Sequence, residues 1–281
     1  MLFLKNRGLA DDTLRNYSYR LKVLCKNVNL DSSEQVLSFV ANLKGSNQYK
    51  ESFVKAYTHY ARFYKINWNK PHYKIERRLP NVPTTEVIKE FIARASRRYA
   101  TVFKLLAETG CMPKELHNVT LKDIDFDKGV LSVRGFKGHS SRCFKLKQET
   151  LAMLKTYVDL YGNKEPLFPN SKAMLKAWCR LRELLADKLH DVKYRNVRLY
   201  DLRHYYATML YSKTKDILYV MKQLGHKKLE TTLVYTQLVN FPSNEYVSAT
   251  ANTIDEARKL IESGFEYVCD VDGVKLFRKL K

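Results

Sequence analysis

The stretch Arg198-Leu-Tyr200-Asp-Leu-Arg203-His204-Tyr-Tyr-Ala-Thr is followed by an apolar helical segment, then by Leu224-Gly-His226, and then by Thr231-Thr-Leu-Val-Tyr235-Thr. An arginine, a histidine and a tyrosine stand at intervals that suit cleavage of a phosphodiester by a protein nucleophile. A guanidinium holds phosphate oxygens, an imidazole hydrogen-bonds them, and a phenol attacks the phosphorus. This segment is therefore the starting point for both fold and function.

The composition is strongly basic. The 281 residues include 50 Lys and Arg against 29 Asp and Glu, a formal net charge of +21. A field of this sign attracts polyanions, so nucleic acid is the favoured partner and an anionic membrane surface the second choice. No stretch approaches the ~18 apolar residues of a membrane span, so we expect no membrane partner. The five cysteines are scattered without a C-x-x-C pair, which argues against a metal site and suits the reducing cytoplasm.

Residues 1–65 predict a small helical domain. Three segments carry apolar residues at helical spacing, and cap signals at 11–13 and 31–33 precede the first two. Lysines and arginines are interleaved with the apolar stripes, which suits contact with DNA phosphates, although a merely solvated basic face has the same pattern. The expected DNA-binding residues in this domain are Arg15, Arg20, Lys22, Lys50 and Lys55.

Residues 66–83 predict a basic linker between two domains. Pro71, Pro80 and Pro83 fix the backbone and remove hydrogen-bond donors, and no helical periodicity is present. Arg77 and Arg78 are the DNA-binding candidates in this segment.

Residues 84–250 predict a larger domain that is mainly α with a small antiparallel β-sheet, an α+β class. Gly110 suits a left-handed helix cap, and Lys137 falls in the loop between the last two of three short predicted strands. Residues 251–281 predict a tail with one helix and a tight hairpin at Asp272-Gly273. The predicted strands of the larger domain cover residues 124–126, 130–134 and 142–146.

Taken with Lys137, these motifs resemble those of the tyrosine recombinases, the integrase and Xer-type site-specific recombinases. Leu-Arg-His-x-x-Ala-Thr at 202–208 is similar to the second box of that family, and Leu-Gly-His…Thr-Thr…Tyr at 224–235 is similar to the third. The Lys-Gly pair at 137–138 stands where the family carries its catalytic lysine. Each motif alone is weak, but their order and spacing are specific, and the resemblance covers essentially the whole chain. The end of the chain is similar to tails of archaeal members.

The resemblance implies a two-domain architecture, a helical core-binding domain followed by a catalytic domain. It implies a homo-tetramer that acts on two paired sites in double-stranded DNA, each site recognised by its sequence. DNA is cleaved and rejoined through a 3′-phosphotyrosyl intermediate, which conserves the energy of the broken bond. Such a reaction uses no cofactor, so we expect none.

The roles implied for individual residues agree with their chemistry. Arg203 presents an always-charged fork to two phosphate oxygens. Tyr235 is the nucleophile, His226 hydrogen-bonds the phosphate, and Lys137 protonates the 5′-oxygen leaving group. His204 either supports the site from behind or only packs. Glu115 either supports the site or is an ordinary carboxylate at a helix N-terminus.

Two positions depart from the family pattern. Tyr200 stands where a histidine is usual, a mild change because a phenol also donates a hydrogen bond. Met112 is more serious: the family reads Thr-Gly-x-Arg-x-x-Glu-Leu, and this chain has Met in place of the first catalytic arginine. Losing one preorganised donor to an oxyanion costs about 10²–10³ in rate, so impaired cleavage is expected. Arg134 and Arg142 are possible substitutes, but no pattern in the sequence favours either.

Two other functions remain open on sequence grounds. A DNA-binding architectural protein could retain the fold without catalysis, although the intact Lys137, Arg203, His226 and Tyr235 argue against long decay. A type IB topoisomerase would use the same chemistry as a monomer and without choice of sequence. Formation of a covalent adduct, and its dependence on DNA sequence, would separate these possibilities.

Overall fold

The computed structural model of the chain describes residues 2–75, 79–136, 138–162, 165–238, 246–271 and 273–280. The chain divides into two compact units, Met1–Arg78 and Leu79–Lys281. The predicted fold class, mainly α with small antiparallel sheets, is confirmed. Of the helices described, none is both long enough and apolar enough to cross a membrane.

The first unit is helical throughout its regular structure. Ser32 and Ser46 cap two of its helices by accepting hydrogen bonds from the backbone N–H groups of Gln35 and Tyr49. The three predicted helices are present, and a short helix precedes them. The helices are α1 (Leu2–Asn6), α2 (Asp11–Asn27), α3 (Ser33–Asn42) and α4 (Asn47–Tyr64).

The core of the first unit forms where α2, α3 and α4 meet. Phe53 and Tyr57 of α4 are fully buried against Leu24 of α2 and Val36 of α3. The Tyr57 hydroxyl donates to the carbonyl oxygen of Leu30 at 2.8 Å, so this buried polar group is paired. The basic side chains are thereby left on the outside of the bundle.

The second unit contains seven of the helices named below and a three-stranded antiparallel sheet with strand order β1-β2-β3. Val130 pairs with Lys145 and Val133 with Arg142, so the two longer strands form a hairpin whose loop begins after Val133. The strands are β1 (Ile124–Asp125), β2 (Val130–Val133) and β3 (Arg142–Lys145). The helices are α5 (Thr85–Arg94), α6 (Arg97–Thr109), α7 (Pro113–His117), α8 (Gln148–Tyr161), α9 (Ser171–Lys188), α10 (Asp201–Thr214) and α11 (Ile217–Leu224).

Trp178 of α9 is the centre of the main core. Its ring stacks on Phe91 with centroids 4.2 Å apart and meets Phe103 edge-on at 4.8 Å. The indole N–H donates to the carbonyl oxygen of Val197 at 2.9 Å. The core is therefore tied directly to the segment that leads into α10.

A separate small sheet with strand order β4-β6-β5 closes the chain. Strand β4 is absent from the sequence-based prediction, because it pairs with the distant β6 and four of its six residues are small or polar. Its Ala251 packs with Ala257 and Phe277 in a core of its own. The elements are β4 (Tyr246–Ala251), α12 (Ile254–Glu262), β5 (Glu266–Val271) and β6 (Val274–Leu280).

Candidate active site

Arg203 enters the interior from the first turn of α10. The start of this helix is fixed by Asp201, which is fully buried and accepts a hydrogen bond from the backbone N–H of Arg198 at 2.8 Å. Arg203 itself is only 2% exposed. Its guanidinium donates to the carbonyl oxygen of Gly110 at 2.6 Å and to that of Leu224 at 2.7 Å, while its Nε has no partner among the described residues. A full positive charge is thus held in place inside the protein.

Two helix C-termini meet at this guanidinium. Gly110 ends α6 and Gly225 ends α11, both in the left-handed conformation that favours glycine. A Cβ on Gly110 would lie 2.3 Å from the ring of Tyr206, so glycine is required there on steric grounds as well. Carbonyl groups at helix C-termini carry partial negative charge, which stabilises the Arg203 cation between them.

His226 directly follows Gly225. Its Nδ1 lies 2.9 Å from the hydroxyl oxygen of Thr232, a fully buried residue, and this contact fixes the ring orientation. Burial, followed by the positive charges of Arg203 and Arg142, lowers the pKa of His226 to about 3. His226 is therefore a neutral imidazole at physiological pH, able to donate a hydrogen bond through one ring nitrogen.

Tyr235 lies in the short 3₁₀ helix Leu233–Gln237 and is 2% exposed. Its ring packs with Ala207 of α10 and Leu224 of α11. Its hydroxyl is 3.1 Å from Nδ1 of His204. Burial raises the pKa of the Tyr235 phenol, and the nearby Arg203 only partly opposes that shift. In this structure Tyr235 is a protonated phenol held against His204.

Glu115 of α7 is the negative centre of the site and is completely buried. It accepts hydrogen bonds from the Met112 backbone N–H at 2.8 Å and from both terminal nitrogens of Arg142, at 2.6 and 3.2 Å. Nδ1 of His139 lies 3.3 Å from the same carboxylate. Burial alone would raise the pKa of Glu115, but the hydrogen bonds from Arg142 and Met112 outweigh it and hold the pKa below its usual value. Glu115 therefore joins α7 to the base of the β2–β3 hairpin.

The structure places the sequence-predicted site residues as follows. Arg203, His204, His226, Tyr235 and Glu115 come together around the ends of α6, α10 and α11. Tyr200 is at the edge, 45% exposed, with its ring 5.1 Å from that of His204. Met112 precedes α7, and the predicted residues Lys137, Arg77 and Arg78 lie outside the described part of the chain.

The basic residues predicted on the first unit divide into two groups. Arg20 and Lys50 are engaged within the protein, because Arg20 donates to Ser52 and Lys50 to the carbonyl oxygen of Ala41, each at 2.5 Å. The other three side chains are exposed, and Arg15 lies 4.0 Å from Asp12 on the same helix. These exposed residues are Arg15, Lys22 and Lys55.

Three residues of the site escape sequence reasoning. Arg142 donates a hydrogen bond to Glu115, His139 contacts the same carboxylate, and Thr232 orients His226. Arg142 shares a face of β3 with the buried Phe144, so strand alternation places it inward, but alternation does not identify Glu115 as its partner. The repeated Thr in Thr231-Thr232 is the one signal in the sequence, since a hydroxyl six residues after His226 is within reach of its ring.

Comparison with known proteins identifies the family. The model of the phage integrase family matches residues 82–240, more than half of the chain. The chain belongs to the phage integrase family. A curated relative, the tyrosine recombinase XerA of Pyrococcus furiosus, is 30% identical over 253 residues, which cover 84% of this chain and 87% of that protein.

Solved structures of integrases share the fold. The integrase of the transposon Tn1549, in complex with transposon right-end DNA, has a TM-score of 0.65 at 15% identity and covers 92% of this chain and 96% of that one. A λ integrase dimer bound to a core site has a TM-score of 0.65 at 14% identity, covering 86% and 94%. Identities this low establish a common architecture, and the roles of individual residues in this integrase-family chain rest on its own geometry.

The buried histidines make a prediction about pH. Burial first, and the neighbouring arginines second, lower the pKa of His226 to about 3 and also lower the pKa values of His139 and His204. In the unfolded chain these imidazole rings become protonated near the reference histidine pKa of about 6.5, whereas in the folded chain they stay neutral. Below that pH the unfolded state therefore binds more protons than the folded state. The free energy of unfolding is therefore expected to fall between pH 7.5 and 5.5, above the range of ordinary carboxyl groups.

Urea denaturation at a series of pH values tests this expectation. The variant His226→Asn should show a shallower decline of unfolding free energy than the parent chain. The exposed His190 provides the control, and His190→Asn should leave the slope unchanged. A parent chain whose stability does not change between pH 7.5 and 5.5 would contradict the neutral state of these rings.

Proposed function

We propose that the chain is a site-specific DNA recombinase or integrase that cleaves and rejoins DNA through Tyr235. The observation that supports this most is the convergence of a buried phenol, a buried guanidinium and a neutral imidazole on one turn, residues 224–226. A site that contains a nucleophile and fixed donors for an anion suits transfer of a phosphoryl group with no water in the attacking role. Membership of the integrase family supplies the substrate class, DNA.

The proposed reaction conserves the number of phosphate ester bonds. The Tyr235 oxygen attacks the scissile phosphorus, the bond from phosphorus to the 5′-oxygen breaks, and a 3′-phosphotyrosyl link forms. The proton lost by the phenol is balanced by the proton that the 5′-oxygen gains, and Lys137 is the donor we assign to that step. Arg203 and His226 bind the non-bridging oxygens, whose negative charge increases in the transition state.

The resting position of Tyr235 implies a movement before attack. Its hydroxyl is buried against His204, and burial keeps it protonated. We assign two tasks to His204. It holds the phenol in its resting position before DNA is bound, and its Nδ1 accepts a hydrogen bond from the phenol as the phenol loses its proton. Tyr200 then contacts the phosphate from the exposed side of the site, in place of the usual histidine.

Met112 weakens the proposed centre. Its thioether provides neither charge nor a strong donor, and a site short of one preorganised donor is slower by about 10²–10³. We therefore propose that cleavage by this chain is slower than cleavage by a site with arginines at both usual positions. An inactive DNA-binding protein with the recombinase fold is the alternative, and it predicts no cleavage at all.

A covalent adduct assay tests the proposal. Duplexes that the chain retains from a random-sequence pool are sequenced, aligned, and rebuilt with single nicks along their centre, so that cleavage next to a nick traps the protein on DNA. The proposal predicts an adduct resistant to SDS on the selected duplex and none on a scrambled duplex. Absence of any adduct, both from the chain and from its Met112→Arg variant, would favour the inactive DNA-binding protein. Adduct on every duplex would favour a topoisomerase.

The terminal sheet suggests how protomers assemble. Apolar side chains of the sheet and of helix α12, which packs with it, are unusually exposed: Ile254 and Ile261 of α12 are 73% and 59% exposed, and Val271 of β5 is 57% exposed. Several large apolar side chains exposed within one small part of a protein mark an interaction surface. We propose that residues 246–281 dock on a neighbouring protomer in a homo-tetramer on two paired DNA sites.

Truncation before residue 246 tests this assembly. The truncated chain should bind a single selected duplex with unchanged affinity, because the DNA-binding surface is retained. Pairing of two duplexes, followed by native gel mobility and mass photometry, should weaken at least tenfold. Ile254→Ser is the milder control and should reduce pairing partially, whereas full tetramer formation by the truncated chain would count against the docking role.

A further inference from the structure

The absent arginine at position 112 leaves an electrostatic problem in the site. The buried carboxylate of Glu115 lies within the field of Arg203, which helps to hold the pKa of that carboxylate below its usual value. With His226 neutral and Lys137 outside the described residues, Glu115 would cancel the positive charge of Arg203 in the described part of the site. A centre with no net charge has little attraction for a phosphodiester anion. Another cation is therefore needed at Glu115.

The structure distinguishes between the arginines that the sequence leaves open. Arg134 is turned outward, with its side chain 72% exposed and 3.4 Å from Asp123. Arg142 is turned inward, with its side chain 4% exposed and both terminal nitrogens on Glu115. Lys114, the cation nearest to Met112 in the chain, lies over the ring of Phe136 at 5.0 Å instead.

Arg142 also reaches the turn that carries His226. One of its terminal nitrogens lies 2.9 Å from the place where a Cβ on Gly225 would stand, so only a glycine admits the guanidinium there. The same nitrogen donates to the carbonyl oxygen of Ser140 at 3.0 Å. Arg203 binds the carbonyl oxygen of Leu224 in the same turn, at 2.7 Å. Two guanidinium groups therefore flank residues 224–226, one from α10 and one from β3.

An open cavity continues from this turn. It measures about 330 Å³, and both Arg142 and His226 line it, together with the side of α11 that carries Lys222. The Nε of Arg142 is buried and has no hydrogen-bond partner within the described residues. Arg142 thus keeps one unused donor, which is buried, and the residue also lines a space large enough for a phosphate group.

We propose that Arg142 replaces the missing arginine of position 112 and supplies the second fixed positive charge that binds the scissile phosphate. The guanidinium belongs to a side chain of strand β3 that is hydrogen-bonded to Glu115, whereas an arginine at position 112 would extend from the start of α7. Glu115 positions it, as it would position a side chain at residue 112, whose backbone N–H is bound to the same carboxylate. The proposal rests on the proposed function, because it concerns the same cleavage step, and it offsets part of the loss caused by Met112.

Moving the guanidinium from position 142 to position 112 tests the proposal. Single-turnover adduct formation is measured on the selected nicked duplex for the parent chain, Arg142→Met, Met112→Arg, and the double variant Met112→Arg/Arg142→Met. We expect Arg142→Met to be at least 100-fold slower, and the double variant to recover at least tenfold of that loss. Met112→Arg alone should gain no more than about tenfold. Arg134→Met, the matched control on the same hairpin, should stay within twofold of the parent.

A neutral substrate separates a phosphate-binding role from a purely structural one. A methylphosphonate at the scissile position removes one negative charge, so a variant that lacks a phosphate-binding cation should be much less impaired on it than on the natural phosphate. For Arg142→Met we expect the deficit to shrink at least tenfold on the methylphosphonate duplex. A defect caused only by a disturbed fold would be the same on both duplexes, and this outcome would overturn the proposal.

The variant Glu115→Gln/Arg142→Met covers the case in which Arg142→Met fails to fold, because it leaves no buried charge unpaired. Cleavage at least 100-fold below the parent supports the proposal, while parental cleavage on the natural phosphate would show that Arg142 only neutralises Glu115. If Met112→Arg forms adduct and the parent forms none, the proposed function stands and the role of Arg142 is refuted. If neither forms adduct, both are refuted.

Discussion

The variant Tyr235→Phe is expected to form no covalent adduct with a nicked duplex on which the parent chain does. The change removes only the hydroxyl oxygen, which is the nucleophile of the proposed reaction, and leaves the ring in its place between α10 and α11. No other side chain can take over, because attack in line with the leaving group demands a fixed position for the oxygen. The expected loss therefore reaches the detection limit of an SDS gel.

Stability and DNA binding should change little in Tyr235→Phe. The hydroxyl makes one hydrogen bond, to Nδ1 of His204, and its loss is expected to cost about 0.5–1.5 kcal/mol. Tyr211→Phe provides a matched control, since Tyr211 packs against the same cluster. It should form adduct at the parental rate. Adduct formation by Tyr235→Phe would assign the nucleophile to another residue.

Arg203→Met is expected to produce the second-largest effect, on both cleavage and folding. Loss of the fork that binds the phosphate should slow adduct formation by at least about 10²–10³. The same change leaves the buried carbonyl oxygens of Gly110 and Leu224 without their donor, at a cost of about 1–3 kcal/mol each. Single-turnover cleavage and urea denaturation measure the two effects separately.

Arg203→Lys distinguishes charge from geometry. Lysine keeps the positive charge but cannot donate to two carbonyl groups and a phosphate in fixed directions. We expect this variant to recover most of the lost stability and only a small part of the lost cleavage rate. Parental cleavage by Arg203→Met in a folded protein would exclude the assigned role, whatever its stability.

Much of the fold follows from local patterns in the sequence. Helices α5 and α6 carry apolar residues at the helical period, and Gly110 marks the end of α6 because it adopts the left-handed conformation there. The β2–β3 hairpin follows from alternating apolar residues in the two strands. Strand β4 could not be predicted in the same way, since a partner more than 20 residues away determines its pairing.

The candidate site was predictable where function imposes a spacing. Arg203, His226 and Tyr235 are recognised by their intervals, and the structure brings the turn and both helices that carry them together. The residues that contact them are determined by packing, so no fixed spacing in the sequence identifies those contacts. Arg142 lies on the buried face of β3 with Phe144, whereas Arg134 directly follows the buried Val133. Only the structure shows that the inward guanidinium binds the buried carboxylate of Glu115.

Met112 does not by itself determine the charge of the site. A motif search compares position 112 alone and therefore indicates a damaged site. The structure shows a buried guanidinium bound to the acid that follows Met112 by three residues. The charge of the centre is a property of the folded cluster, and a cation from β3 contributes to it as directly as one from α7.

The most direct test of the central claim is to locate the DNA on the protein. The parent chain is trapped on its selected nicked duplex, the DNA is digested with nuclease, and the protein is digested with protease and sequenced by mass spectrometry. The account predicts a nucleotide linked through its 3′-phosphate to Tyr235. A nucleotide on any other residue, or unmodified Tyr235 peptide from a chain that never forms adduct, would contradict it.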